Sequence, residues 1–255
     1  MIFKNRKRKK LAAKSFPQDW LTILERNVPL YTRLAEWDRA ELRGHILVFL
    51  AEKRFEGCGG LEITDEIRVT IAAHACILLL HRRTDYYPGL KSILVYPNAY
   101  VAPDVRHFLG DTVMETTDVR LGESWHHGAV VLSWDDVRRT AADIRDGQNV
   151  AFHEFAHQLD SSGGRGDDTP VLRDHSSFIA WARALGRDYD RFRRLVEYRR
   201  PEVLDEYGAT NPAEFFAVAT ESFFETPNEL KRAYPRLYEE LKRFYQQDPA
   251  SLEPA

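Results

Sequence analysis

The segment "NVAFHEFAHQLD", residues 149–160, constrains the fold more than any other part of this chain. Its two histidines, His153 and His157, are four residues apart, and side chains at that interval lie above one another on one face of an α-helix. Apolar residues surround them: Val150, Phe152, Phe155, Ala156 and Leu159. The segment therefore predicts a largely buried helix that presents two imidazoles to the same point.

Glu154 completes an H-E-x-x-H pattern between the two histidines. Two imidazoles on one helical face can bind a single zinc ion at nitrogen distances of about 2.0–2.1 Å. Glu154 projects about 100° further round the helix axis, so we expect its carboxylate to act as a general base on water at the metal. The alternative interpretation is a structural helix that carries two histidines by coincidence.

A catalytic zinc site needs a third protein ligand and one open position. A third histidine at the spacing H-E-x-x-H-x-x-G-x-x-H is excluded, because Asp160 and Gly163 occupy the positions concerned. Glu214 and Glu221, in the downstream segment "NPAEFFAVATESFF", are seven residues apart and share roughly one helical face. Spacing does not choose between them, and Glu214 has a structural alternative as the carboxylate of a capping box that starts at Asn211.

Apolar periodicity predicts helices towards both ends of the chain. Residues at three- and four-residue intervals predict two N-terminal helices, within 20–34 and 39–55, and three more at about 174–197, 211–225 and 227–246. Thr64 is expected to cap a long buried helix that carries His74 and His81. We interpret these two histidines as hydrogen-bonded core or surface residues.

Two apolar runs predict strands between these helical regions. They are "SILVYP", residues 92–97, and "GAVVLSW", residues 128–134. The second run is a candidate edge strand, against which an extended peptide pairs its backbone, and the alternative is an ordinary strand of the sheet. Together the patterns predict an α+β fold that is predominantly α-helical, with a small sheet.

Composition excludes several classes of protein. With 255 residues, 44% hydrophobic, the chain can bury a sizeable core, and its net charge of −3 argues against broad contact with nucleic acid or membranes. No apolar run approaches the roughly 20 residues of a membrane helix, and the N-terminus lacks the apolar region of a secretory signal. Cys58 and Cys76 are too few for a disulfide framework. We therefore expect a cytoplasmic protein.

The two ends of the chain differ from its middle. Residues 1–15 are strongly basic and are expected to form a disordered, solvated tail, with contact to nucleic acid as the weaker alternative. Residues 16–247 are expected to form a single domain. Residues 248–255 are expected to form a polar tail.

"FHEFAHQLD" and "EYGATNPAEFFAVATESFF" resemble the Mlc titration factor A family of bacterial zinc metallopeptidases, whose active site is similar to that of the anthrax lethal factor protease. Three upstream segments extend the resemblance to residues 16–246: "LEITDEIRVTIAAHACILLL", "SILVYPNAYV" and "WHHGAVVLSWDDV". The resemblance implies a zincin-like fold with one catalytic Zn²⁺ bound by His153, His157 and Glu214. It also implies that Tyr207 donates a hydrogen bond to the oxyanion of the tetrahedral intermediate.

The resemblance further implies an activity and a partner. The activity is hydrolysis of peptide substrates, as an aminopeptidase, with Glu154 as the general base. The partner is a glucose-responsive transcriptional repressor of the Mlc type. The competing hypothesis is a non-enzymatic binding protein that sequesters a transcription factor and keeps a vestigial or regulated zinc site.

Overall fold

The computed structural model describes residues 2–98, 100–101, 119–120, 122–125, 128–161, 175–200 and 202–252. Helices dominate this part of the chain. They are α1 Ile2–Ala12, α2 Gln18–Asn27, α3 Pro29–Arg33, α4 Glu36–Glu52, α5 Asp65–Ile77, α6 Trp134–Ala142, α7 Val150–Ser161, α8 His175–Glu197, α9 Pro212–Glu225, α10 Pro227–Ala233 and α11 Pro235–Tyr245. The strands are β1 Arg54–Gly57, β2 Ser92–Tyr96, β3 Tyr100–Val101, β4 Val119–Arg120, β5 Gly122–Trp125 and β6 Ala129–Ser133.

Four of the strands form one small sheet in the order β1-β2-β6-β5. Strands β1, β2 and β6 run parallel, and β5 runs antiparallel to β6. Strands β3 and β4 form a separate antiparallel pair. A mainly helical chain with a small sheet confirms the predicted α+β class.

Strand β6 is not an edge strand, so that expectation for residues 128–134 is wrong. It pairs with β2 on one side and with β5 on the other, where Trp125 faces Ala129 and Gly122 faces Leu132. The segment before β6 folds back as its antiparallel neighbour, which the apolar pattern of β6 did not reveal. Strand β5 therefore lies at the end of the sheet where an extended peptide could add.

The predicted cap of α5 is confirmed, but the helix is shorter than the pattern indicated. Thr64 Oγ1 accepts a hydrogen bond from the backbone N–H of Ile67 at 3.3 Å. The helix ends at Ile77, so His81 lies beyond it, whereas His74 is buried within it and its Nδ1 is 2.8 Å from the Thr70 carbonyl oxygen. The two histidines do not share a helical face.

Prolines divide two of the predicted helices. The N-terminal pattern over 20–34 separates into α2 and α3 at Pro29, and the C-terminal pattern over 227–246 separates into α10 and α11 at Pro235. Each proline is the first residue of the second helix, where its missing N–H leaves no intrahelical bond unmade.

The basic N-terminal segment forms helix α1, which differs from the expected solvated tail. Arg8 is buried and donates hydrogen bonds to both carboxylate oxygens of Glu52, each at 2.7 Å, and to Asp85. Helix α1 lies so close to α4 that a Cβ on Gly44 would meet the Cβ of Ala12 at 3.3 Å. The segment is ordered because one of its cations finds two carboxylates on the body of the protein.

Helix α7 is fixed in the core by aromatic side chains on two of its faces. The ring of Phe155 lies 5.9 Å from that of Phe49 and 5.2 Å from that of Tyr87. The ring of Phe152 lies 5.1 Å from that of Phe224 on α9. These contacts position the face of α7 that carries His153 and His157. Among the described residues, none of the helices has the length and apolarity to span a membrane.

Candidate metal centre

The start of helix α7 is fixed by helix α9. Asn149 caps α7, since its side-chain oxygen accepts a hydrogen bond from the N–H of Phe152 at 3.0 Å. Asn149 is itself held by α9: its backbone N–H donates to Glu221 Oε2 at 2.5 Å, and its side-chain amide donates to Glu225 Oε1 at 2.9 Å. The two helices that supply the site are therefore registered against each other by buried hydrogen bonds.

Three potential ligand atoms converge between these helices. Glu214 Oε2 lies 2.9 Å from Nε2 of His153 and 3.2 Å from Nε2 of His157, and the two nitrogens are 3.2 Å apart. Asn211 caps α9, as predicted, by accepting from the N–H groups of Ala213 and Glu214. The Glu214 carboxylate is thus at the histidines, and the two nitrogens and one oxygen form a group that could hold a metal ion.

Glu221 contacts the opposite side of the first imidazole. Its Oε1 lies 2.6 Å from His153 Nδ1, while its Oε2 accepts the Asn149 N–H. A carboxylate behind a ligating histidine fixes the tautomer and the orientation of the ring. The two glutamates, which spacing could not tell apart, therefore occupy different places: Glu214 lies beside Nε2 and Glu221 beside Nδ1 of His153.

Glu154 is buried and incompletely hydrogen-bonded. It follows His153 on α7, the residue is 5% exposed, and within the described part of the chain its Oε2 has no hydrogen-bond partner. Burial, with a further contribution from the charges of Glu214 and Glu221, raises the pKa of Glu154 to about 7. A buried carboxylate with an unsatisfied oxygen is costly to a fold, which makes it a candidate for chemistry.

The charges of the cluster favour a cation at the imidazoles. Burial lowers the pKa of His153, but hydrogen bonds with Glu214 and Glu221 outweigh it and bring that pKa to about 10. Burial raises the pKa of Glu214, yet its hydrogen bonds with His153 and His157 hold it at about 2. Two carboxylates thus face one imidazole, and positive charge is stabilised between them.

Tyr207 lies at the exposed side of this group. It belongs to the short 3-10 helix Glu206–Ala209 before α9, which Asp205 caps by accepting the Tyr207 N–H at 2.9 Å. Its ring centroid is 6.1 Å from that of His153, and the residue is 57% exposed. The structure therefore brings all five predicted site residues, His153, Glu154, His157, Tyr207 and Glu214, into one region.

Comparison with known proteins identifies the family. A family model described as glucose-regulated metallo-peptidase M90 matches residues 2–246. The chain belongs to this family. The proteins named Mlc titration factor A from Yersinia pestis and Yersinia pseudotuberculosis are each 32% identical to it over 229 residues, which cover 88% of this chain and 83% of theirs. A Synechocystis protein named "Uncharacterized protein slr2042" is 39% identical over 242 residues, 94% of this chain and 88% of its own.

These matches confirm the family resemblance seen in the sequence and mark the chain as metallopeptidase-like. His153 and His157 on α7 and Glu214 on α9 fit the metal ion that membership of the M90 family implies. Two imidazole nitrogens and one carboxylate oxygen, partly shielded from solvent, form a donor set typical of catalytic zinc.

Two supporting residues were missed in the sequence, Asn149 and Glu225. Asn149 stands directly before the apolar periodic segment, so the general preference of helix caps for asparagine could have found it. Glu225 carries no comparable signal, because its partner Asn149 lies 76 residues earlier in the chain. Burial raises the pKa of Glu225 to about 9, so its side chain is neutral at physiological pH.

Proposed function

We propose that this M90 protein is a zinc-dependent peptidase with a zincin-like active-site helix, α7. The observation that carries the proposal is the position of Glu214 Oε2, 2.9 and 3.2 Å from the Nε2 atoms of His153 and His157. His153, His157 and Glu214 are the proposed zinc ligands. A zinc ion bound by them supplies a Lewis acid for the scissile carbonyl and lowers the pKa of water towards about 7.

Glu154 is the proposed general base and acid. Its carboxylate takes a proton from the water that attacks the carbonyl carbon, and it then delivers that proton to the amine nitrogen as the C–N bond breaks. Its burial on α7, beside both histidines, supports this role. Glu221 is the proposed positioning residue. Its contact with His153 Nδ1 keeps the ring in the orientation that directs Nε2 towards Glu214.

Tyr207 is the proposed donor to the oxyanion of the tetrahedral intermediate. The position of its ring beside His153 and its exposure to solvent support this role. Removal of one preorganised oxyanion donor costs about 3 kcal/mol of transition-state stabilisation in other hydrolases. We expect Tyr207→Phe to lower kcat without loss of zinc.

The proposal is tested by metal content and hydrolysis measured together. Wild type, Glu214→Ala and Glu221→Ala proteins are analysed by mass spectrometry for zinc and assayed on aminoacyl chromogenic substrates with and without chelator. We expect Glu214→Ala to contain one zinc ion fewer than wild type and to be inactive. Glu221→Ala should bind as many ions as wild type, though more weakly. A zinc ion lost with Glu221 and kept with Glu214 would reassign the third ligand.

We propose that the substrates are peptides with a free N-terminus, following the family resemblance to aminopeptidases. The matched control is the same chromogenic substrate with its amine acetylated. Cleavage of the free form alone supports an aminopeptidase. Equal cleavage of both forms contradicts it and leaves a peptidase of another specificity.

A second proposed function is binding of an Mlc-type transcriptional repressor. The name of the Yersinia relatives, Mlc titration factor A, supports it. The non-enzymatic alternative keeps this binding without hydrolysis. Glu154→Gln separates the two functions, because it should abolish hydrolysis and keep capture of the purified repressor. Loss of capture by a folded, zinc-loaded variant would contradict their independence.

We also propose a cytoplasmic location and one domain over residues 16–247, with α1 docked against it. The free cysteines Cys58 and Cys76 support a reducing compartment. Fractionation of cells that express the full chain tests the location, and limited proteolysis tests the domain boundary.

A further inference from the structure

A second group of metal-binding side chains lies away from α7 and α9. Asp38 and Glu41 are on α4, three residues apart, and His81 follows the end of α5. Each of these three side chains offers one potential ligand atom, and the three atoms all lie within 4.8 Å of one another. Asp38 Oδ1 is in direct contact with His81 Nε2, and Glu41 Oε2 lies 4.0 Å from the same nitrogen. The group shares no residue with the candidate metal centre.

The tautomer of His81 is fixed by the residue that follows α11. Its Nδ1 lies 2.9 Å from the backbone carbonyl oxygen of Gln246. A carbonyl oxygen only accepts, so Nδ1 must carry a hydrogen. Nε2 therefore directs either a lone pair or a second proton at the two carboxylates. A proton on Nε2 satisfies the contact with Asp38; without that proton three acceptor atoms converge, and a metal ion can take its place.

The position of Glu41 is also fixed. Its Oε1 accepts the backbone N–H of His81 at 3.0 Å and lies 3.2 Å from His45 Nε2. His81 itself has a φ of 63°, a left-handed conformation that is unfavourable for a non-glycine residue. With Oε1 engaged in this way, Oε2 is the oxygen directed towards Nε2.

An ion can reach this group from solvent. Asp38 is buried, while the side chains of Glu41 and His81 are partly exposed. Trp37 stacks on one face of the His81 ring, with 5.0 Å between centroids and 21° between planes. Trp37 therefore restrains the ring from one face, and the indole itself is 64% exposed.

The group repeats the local design of the candidate metal centre. In both places an imidazole has Nδ1 beside an oxygen atom and Nε2 beside a carboxylate, the arrangement typical of ligating histidines. We propose that Asp38, Glu41 and His81 form a second binding site for a divalent transition-metal ion, with zinc as its probe. The site links the first turn of α4, the segment after α5 and the end of α11, so the bound ion stabilises the fold.

Zinc titration of the full chain tests this site apart from the first one. The background is His157→Ala, which removes a proposed ligand of the first centre and leaves the Glu221 contact of His153 in place. We expect one zinc ion per chain to remain. Adding Glu41→Gln should weaken that binding at least tenfold, since even loss of an outer partner costs about 10- to 100-fold. Adding Glu36→Gln, a matched carboxylate on the same helix that pairs with Arg43, should leave the affinity unchanged.

Asp38→Asn in the same background should also weaken zinc binding at least tenfold. Because Asp38 is buried and contacts His81, circular dichroism must confirm that this variant folds, and Glu41→Gln provides the test if it does not. The proposal is overturned if His157→Ala protein binds no zinc, or if its zinc affinity is the same with and without Glu41→Gln. Both sites are supported if the wild type binds two zinc ions, His157→Ala binds one, and Glu41→Gln weakens the binding of that remaining ion. A single wild-type ion that depends on Glu41 alone supports this site and contradicts the proposed peptidase centre.

Discussion

The two histidine–carboxylate groups of this protein use similar ligands but have different neighbours. At α7 and α9, Glu154 and Glu221 are buried, and two imidazoles converge on Glu214. At α4 and the segment after α5, one imidazole faces two carboxylates, and both His81 and Glu41 are partly exposed. Burial creates the difference in chemistry, because it raises the pKa of the neighbouring Glu154 to about 7, where a carboxylate can both accept and donate a proton. Both donor sets could hold a metal ion, and they differ in the residues that surround them.

The largest expected effect tests the buried group. Glu154→Gln should lower kcat on aminoacyl chromogenic substrates about 100- to 10,000-fold, the range typical of a lost general base. The zinc content should not change, because Glu154 is not a proposed ligand. Steady-state kinetics and mass spectrometry on the same sample check both statements. Full activity at unchanged zinc content would remove Glu154 from the mechanism.

The support of the first imidazole gives the next largest effect. Glu221→Gln leaves one acceptor oxygen for two donors, the ring of His153 and the N–H of Asn149. We expect zinc affinity to fall about 10- to 100-fold, measured against a competing chelator. Glu229→Gln serves as the control, since that carboxylate lies on the next helix and pairs with Arg232. Equal affinities for the two variants would show that Glu221 does not orient the ligand.

The burial of Glu225, which supports the candidate metal centre through Asn149, should have a measurable cost to stability. Burial raises the pKa of Glu225 from 4.5 in the unfolded chain to about 9 in the folded protein. The folded state therefore binds the proton more tightly, and the stability that this provides is present below pH 4.5 and is lost as the pH rises towards 9. Glu225→Gln mimics the neutral side chain and should avoid that loss.

We expect the free energy of unfolding of Glu225→Gln to exceed that of wild type by about 1–2 kcal/mol at pH 8. The two proteins should converge near pH 4.5. Urea unfolding at both pH values is the measurement. A difference that is the same at both pH values would contradict the titration of Glu225 and leave only the change in packing.

The group of Asp38, Glu41 and His81 should give the smallest effect. A site that binds zinc only in the folded state adds about 1 kcal/mol to stability when free zinc is fivefold above Kd, which is a rise in Tm of about 2–4 °C for a chain of this size. In the His157→Ala background, Glu41→Gln should abolish this rise. A rise that persists in Glu41→Gln would place the stabilising ion elsewhere.

Local patterns in the sequence predicted local features well. The four-residue interval of His153 and His157 placed them on one helical face, and Thr64 was identified as a cap before α5. Sequence spacing could not choose between Glu214 and Glu221 as the third ligand. Both lie on one face of α9, and they differ in which nitrogen of His153 they approach. That distinction depends on how α7 and α9 are registered against each other.

Features that depend on distant partners were predicted least well. The pattern extended α5 to His81, but the chain leaves the helix after Ile77, and His81 is held by residues of α4 and by Gln246. The group of Asp38, Glu41 and His81 was missed for the same reason, since Asp38 and Glu41 lie 43 and 40 residues before His81. Sequence intervals do not encode contacts of this kind.

The docking of Arg8 has a practical consequence for work on this protein. Truncation of the first 14 residues would remove positive charge. It would also remove the guanidinium of Arg8, which pairs with the carboxylates of Glu52 and Asp85. An affinity tag fused to the N-terminus would be attached directly to helix α1, which packs against the body of the protein. Tags are better compared at both termini, and charge is better probed by neutralising the exposed lysines Lys7 and Lys10 while Arg8 is left intact.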